Sequence, residues 1–178
     1  MKPLVFLSAL LFIVVTAAAQ PQQTEDPAVA YTRVLTQRAA KIVTPLNIAD
    51  SVKAQKVQSI IVQQYRDLNE AHDSRKATIK ALKEKAGEGN KPDSNAVKAI
   101  NAATEKQLKQ LHDAYLSKLS ALLNTEQVNQ VKDGMTYGVF NVTYTAYTDM
   151  IPTLTDGQKS KIHTWLTEAR ELIGRAHV

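Results

Sequence analysis

Gly87-Glu88-Gly89-Asn90-Lys91-Pro92 is the plainest loop in this 178-residue chain. Two glycines, an asparagine and a proline cannot continue a helix together. On either side the apolar residues recur at steps of three and four, which is the helical period. Upstream, Val52, Val57, Ile60, Ile61, Tyr65, Leu68, Ile79 and Leu82 mark a helix from about Asp50 to Lys85. Downstream, Val97, Ile100, Leu108, Leu111, Tyr115, Leu116, Leu119 and Leu122 mark another, opened by Asp93 or Ser94 and reaching about Leu123. A short loop between two long amphipathic helices makes an antiparallel hairpin. The segment between Leu68 and Ile79 is polar, so the far end of the hairpin is expected to be the more exposed.

Shorter helices flank the hairpin. Asp26-Pro27 is a capped start with proline at the first helical position. The helix that follows runs to about Ile42, with Val29, Val34, Leu35 and Ala39 expected inside, and Thr44-Pro45-Leu46-Asn47 ends it. After the hairpin, Asn124 and Gln127 form the two ends of a capping box. They open a helix carrying Val128, Val131 and Met135, bracketed at its end by Gly134 and Gly138. Residues 139–151 are rich in Val, Thr and Tyr, which favour strands. Yet Phe140, Tyr144, Tyr147 and Ile151 fall at helical steps and no partner strand exists, so the segment reads as helix up to Pro152. Thr155 and Gln158 form a second capping box, and Ile162, Trp165, Leu166, Ala169 and Leu172 give the last helix its apolar face. The expected fold is all-α: one domain over 26–178, a long antiparallel hairpin packed with shorter N- and C-terminal helices.

The first 19 residues carry an export signal. Lys2 supplies the positive start, Leu4 to Val15 the apolar run, and Ala17-Ala18-Ala19 the small residues before a cleavage site. The run is shorter than the roughly 20 residues a membrane-spanning helix needs. The predicted mature chain begins at Gln20, with a polar leader over 20–25, and its address is the periplasm or the exterior. With no cysteine the chain has neither a lipoprotein anchor nor a disulfide. The formal charge of +5 falls to about +4 without Lys2, and its lysines are interleaved with Glu and Asp. Without an aromatic-and-basic strip, nucleic acid is not an expected partner.

No metalloprotease helix, phosphate loop or nucleophile elbow is present. His72 and His112, each followed by Asp, lie on facing helices of the hairpin and read as part of a solvated face; His163 reads as an edge residue. The carboxylates read as exposed partners of lysines. No cofactor or metal is expected, and no enzyme. The candidate ligand site is aromatic: Tyr137, Asn141, Tyr144, Tyr147 and Trp165 crowd the C-terminal third. Aromatic faces bordered by hydrogen-bonding groups suit sugar rings. The competing reading is a core whose tyrosines turn their hydroxyls to water.

Thr136-Tyr137-Gly138, Val142-Thr143-Tyr144 through Tyr147 to Met150, Pro152-x-Leu154-Thr155-x-x-Gln158 and Trp165-Leu166-x-Glu168-Ala169-Arg170-Glu171 together resemble a domain-of-unknown-function family of secreted Gram-negative bacterial proteins described as sugar-binding. The resemblance implies a periplasmic or secreted helical protein associated with carbohydrate utilisation, and no catalytic residue. Members of that family continue past the Glu-Ala-Arg-Glu segment with another helix, whereas this chain ends at Val178. A C-terminal truncation relative to the family, with self-association through the uncovered surface, is the corresponding expectation. Leu154-Thr155-x-x-Gln158 is also similar to the repeat of periplasmic stress chaperones, which implies unfolded or envelope protein clients as the alternative partner.

Overall fold

A computed structural model describes residues 25–176. The export signal and all of the leader except Glu25 lie outside the described residues. Glu25 is held by Arg33, whose Nη2 donates to its carboxylate at 2.9 Å.

Six α-helices and one short 3₁₀ turn make up the described chain, with no strand. Helix α1 (Pro27–Val43) leads through the 3₁₀ turn (Thr44–Leu46) into α2 (Ser51–Ala86), which α3 (Ser94–Ser120) pairs antiparallel. The remaining helices are α4 (Thr125–Met135), α5 (Val139–Met150) and α6 (Asp156–Ala176). The hairpin dominates as expected, α2 alone reaching about 54 Å at 1.5 Å per residue.

The helix starts are built by the residues that signalled them. Asp26, Asp50 and Asp93 each accept from backbone amides of the first turn they open. Asn124 and Gln127 complete a reciprocal box, and Gln127 also donates from Nε2 to the Leu46 carbonyl at 3.1 Å, tying α4 to the 3₁₀ turn. Each such cap contributes about 1 kcal/mol. Thr155 and Gln158 bond reciprocally at the start of α6.

The main core sits at the base of the hairpin. Leu35, Ala39, Ile42 and Val43 of α1, Val57, Ile61 and Tyr65 of α2, Tyr115 and Leu119 of α3, and Val128, Val131 and Met135 of α4 form one buried cluster. A smaller one, Leu68, Ala71 and Leu108, continues along the hairpin. Beyond it Ile79 and Leu82 are only half-buried, so the far end is the more exposed.

Several apolar residues assigned inward by the sequence face outward. Val29 and Val34 of α1, Val52 of α2, and Trp165 and Leu172 of α6 are all exposed. The reason is angular. Successive helix residues turn by about 100°. That puts Val34 off the line of Leu35, Val52 off that of Val57, and Trp165 off that of Leu166. Each helix buries one narrow stripe, and an apolar residue beside it is left in solvent.

Residues 139–150 are helical despite their strand-favouring composition. Phe140 and Tyr144 fall one turn apart, and both meet His163 of α6 edge-on, with centroids at 5.0 and 5.6 Å. Yet α5 buries no residue fully. It rides on α6, and α6 is fixed to the core by polar contacts.

Candidate functional site

Those contacts form a charged junction where α3, α4 and α6 meet. Arg170 of α6 donates from Nη1 to Asp133 at 2.7 Å and from Nη2 to Asn129 at 3.1 Å, both on α4. Its guanidinium also lies over the Phe140 ring, 5.2 Å from the centroid. Next to it, Glu171 accepts from Lys132 Nζ at 2.8 Å and pairs with His112 Nε2 at 3.2 Å.

His112 is therefore a buried residue, 7 % exposed, and not part of a solvated face. Nor are Asp133 and Glu171 exposed lysine partners; they are partly buried in this junction. Burial pushes the His112 imidazole below its ordinary value of 6.5, outweighing the upward pull of Glu171. Burial pushes Glu171 up, but hydrogen bonds and charge from Lys132, His112 and Arg170 prevail and hold its carboxyl below 4.5. Every charge here is spent on another. Among the described residues the junction leaves almost no free volume, about 10 Å³, and no group of three or more His, Asp or Glu is placed to hold a metal ion. Its chemistry is that of a fastening.

The space for a ligand lies elsewhere. A cleft of about 440 Å³ opens between α1, α2 and the end of α4. That falls within the roughly 300–1,000 Å³ typical of small-molecule sites. Ile42, Pro45 and Gly134 give it apolar walls, and the Tyr65 ring contributes from α2. Arg38, Lys41, Gln130 and Tyr137 supply the polar groups, and none of the lining residues is acidic. Arg38 and Lys41 lie one turn apart on α1, and helix residues three apart share a face.

Two local features shape the cleft. Gly134 lets α4 approach α1: a Cβ there would stand 3.0 Å from both Cγ1 and Cγ2 of Ile42. Tyr137 and Gly138 both adopt left-handed backbone, with φ of 56° and 68°, as the chain turns from α4 into α5. Glycine takes this conformation freely, but a residue with a Cβ is held there at a cost of about 1–2 kcal/mol. Tyr137 remains 63 % exposed. Behind it Tyr65 is buried, and its phenol is pushed up by desolvation and by Tyr137, against the charge of Arg38. Tyr65 therefore stays protonated near neutral pH, able to donate. Tyr115 of α3 is pushed up by burial and by Tyr65.

Of the five residues proposed from sequence, only Tyr137 lines this cleft. Asn141 donates to Asp133 at 3.4 Å, beside the charged junction. Tyr144 stacks on Phe140 with centroids 6.4 Å apart and packs against His163. Tyr147 and Trp165 stand 47 % and 63 % exposed on α5 and α6. Arg38, Lys41 and Gln130 also line the cleft and carry no motif in the sequence. The signal available for the first two was their spacing of three beside Leu35, Ala39 and Ile42, which sets them on the margin of a buried stripe.

An all-α bundle with a polar-rimmed cleft defines the class. Residues 32–173 match the model of a family described as a protein of unknown function (DUF3826), and the chain belongs to that family. The match includes every residue named above in the cleft and in the junction. No curated protein matches the chain. Among the described residues, no helix is long and apolar enough to cross a membrane.

Proposed function

We propose that the protein is a non-enzymatic, exported carbohydrate-binding module and that the Tyr137 cleft is its ligand seat. The observation that carries this is Tyr137 itself. An exposed aromatic ring stands at a cleft on backbone that disfavours any residue but glycine. Strained backbone retained at a cleft points to use of the side chain it presents. Around the ring, apolar walls from Ile42 and Pro45 meet donors from Arg38, Lys41, Gln130 and Tyr65. A sugar presents the complement, an apolar CH face bordered by hydroxyls. Residues 1–19 give the expected address, the periplasm or exterior of a Gram-negative cell.

Titration calorimetry of the folded chain against a broad panel of polysaccharide fragments tests this reading. Binding of at least one class, weakened tenfold or more by Tyr137→Ala, is the expected result. Silence across the panel removes it.

A second reading, a holdase or scaffold for unfolded or envelope proteins, is favoured by a different face. Val142, Met150, Trp165 and Leu172 stand 69, 80, 63 and 58 % exposed on α5 and α6. Exposed apolar side chains of this size suit a non-specific client surface. Suppressed aggregation of a denatured client, lost on Trp165→Ser, is what this reading requires. An inert result excludes it.

A further inference from the structure

Resting on the carbohydrate reading of the cleft, we infer that its ligand is an acidic saccharide whose carboxylate is held by Arg38 and Lys41. The two side chains project from adjacent turns of α1 into the same cleft, and no lining residue is acidic. Among the described residues neither Arg38 nor Lys41 takes part in an ion pair, although eight such contacts occur elsewhere. The contrast with the junction is instructive. There Arg170 and Lys132 are matched by Asp133 and Glu171; here two cations converge with no anion supplied by the cleft.

A neutral sugar would leave this pair facing only hydroxyls. A uronic acid satisfies it. The planar guanidinium of Arg38 offers a two-pronged donor matched to a carboxylate, and the Lys41 ammonium adds a point charge. The pyranose CH face is then free to lie against Tyr137. The Tyr65 phenol, protonated near neutral pH, donates from behind. Arg38 lies near enough to that phenol for its charge to oppose the upward shift. Recognition thus divides into a charge clamp on α1 and an aromatic platform at the α4–α5 turn.

The test uses the full folded chain and three probes: a galacturonic acid oligomer, the same oligomer fully methyl-esterified, and a sulfated neutral oligosaccharide of equal length. Calorimetry is run at low and at physiological salt. The acid oligomer should bind at least tenfold more tightly than its ester, and more weakly as salt rises. Arg38→Gln and Lys41→Gln should each weaken the acid oligomer about tenfold, and the ester, which loses only a neutral hydrogen bond, by no more than about threefold. Both positions are exposed, and matching thermal unfolding curves establish that each variant is folded. Equal binding of acid and ester, both lost on Tyr137→Ala, overturns the acidic ligand while leaving the carbohydrate reading intact. Preference for the sulfated probe overturns the carboxylate assignment. Binding of no saccharide, in these arms or in the broad panel, overturns both.

Discussion

Replacing Arg170 with methionine tests how α6 and its passenger α5 are fixed to the rest of the molecule. Methionine keeps most of the aliphatic stem, so packing changes little and the guanidinium is what is lost. The variant leaves Asp133, whose side chain is 21 % exposed, with its charge unpaired, and Asn129 without its donor. Stripping one partner from a buried ion pair costs about 3–5 kcal/mol, whereas an exposed pair is worth 1 or less. The Arg170 side chain is 9 % exposed, so this pair lies toward the buried end, discounted for the water that reaches Asp133. The lost contact with the Phe140 face adds roughly 0.5–1 kcal/mol. A loss of about 3 kcal/mol is expected. With a urea slope of about 2 kcal/mol per molar, the unfolding midpoint falls by roughly 1.5 M. Pairing the change with Asp133→Asn separates the stranded charge from the rest, because the neutral amide needs no cation. The double variant should recover at least 1 kcal/mol relative to Arg170→Met alone. A midpoint shift under about 0.3 M, or a double variant no more stable than the single one, would refute the view that this junction holds α6.

Three further outcomes follow from the same coordinates. Gly134→Ala gains up to about 1 kcal/mol of helix preference, but its Cβ meets Ile42 at 3.0 Å and overpacking costs about 1–3 kcal/mol. A β-branched helix residue has one strongly favoured rotamer and cannot swing aside, so the melting temperature should fall by about 3 °C, and the same change made in an Ile42→Ala background, which lacks both γ carbons, should cause no fall; a rise in the wild-type background would show that Ile42 yields. At position 137, Tyr137→Gly should be more stable than Tyr137→Ala by about 1 kcal/mol in denaturant titration, since only alanine retains the left-handed strain; equal stabilities would mean that the strain is absent. Stability should also fall with acid in two steps. The unfolded chain takes up the His112 proton first, so stability drops as pH falls from about 6.5 toward the depressed folded value. Glu171 adds a second loss as pH falls from about 4.5 through its own lowered value. Melting temperature followed against pH should lose the upper step in His112→Met and keep the lower; persistence of the upper step there would assign it elsewhere.

What could be read from the sequence was whatever is settled within a turn or two of helix. The caps at Asp26 and Asn124, the helix starts near Asp50 and at Asp93 or Ser94, the Gly87–Pro92 loop and the helicity of 139–150 depend on neighbours three or four residues away. What escaped depends on which helix comes to lie opposite. His112 reads as solvated when it is taken together with Asp113 beside it. The period through Leu108, Tyr115 and Leu119 already puts position 112 on the buried stripe, and only the partner was out of reach, Glu171 being 59 residues further on. Of the aromatic grouping only Tyr137 comes to line the cleft, for the opposite reason. Closeness in the chain suggested one site, yet the left-handed pair Tyr137–Gly138 turns the chain between Tyr137 and the rest. The cleft joins α1 to the end of α4, a pairing that no local rule supplies.

The two polar regions divide the molecule's work in a way that explains their different chemistry. A helix pair with no fully buried residue in α5 cannot be held by apolar burial alone, so α6 is fastened by charges that satisfy one another. Such charges have no capacity left for a ligand, and packing them tightly removes the space one would need. The Tyr137 cleft shows the reverse: volume, a strained aromatic and two cations not matched by an acid of the cleft. Its walls rest on the main core through Ile42, Tyr65 and Gly134, so its geometry is set by the best-packed part of the protein and not by the α5–α6 pair. A binding site benefits from that arrangement, because side chains held by a rigid core need little ordering when a ligand arrives. The same logic disfavours the junction as a site despite its histidine and carboxylates. Where the charges are already paired with one another, binding would have to break contacts that hold the fold together.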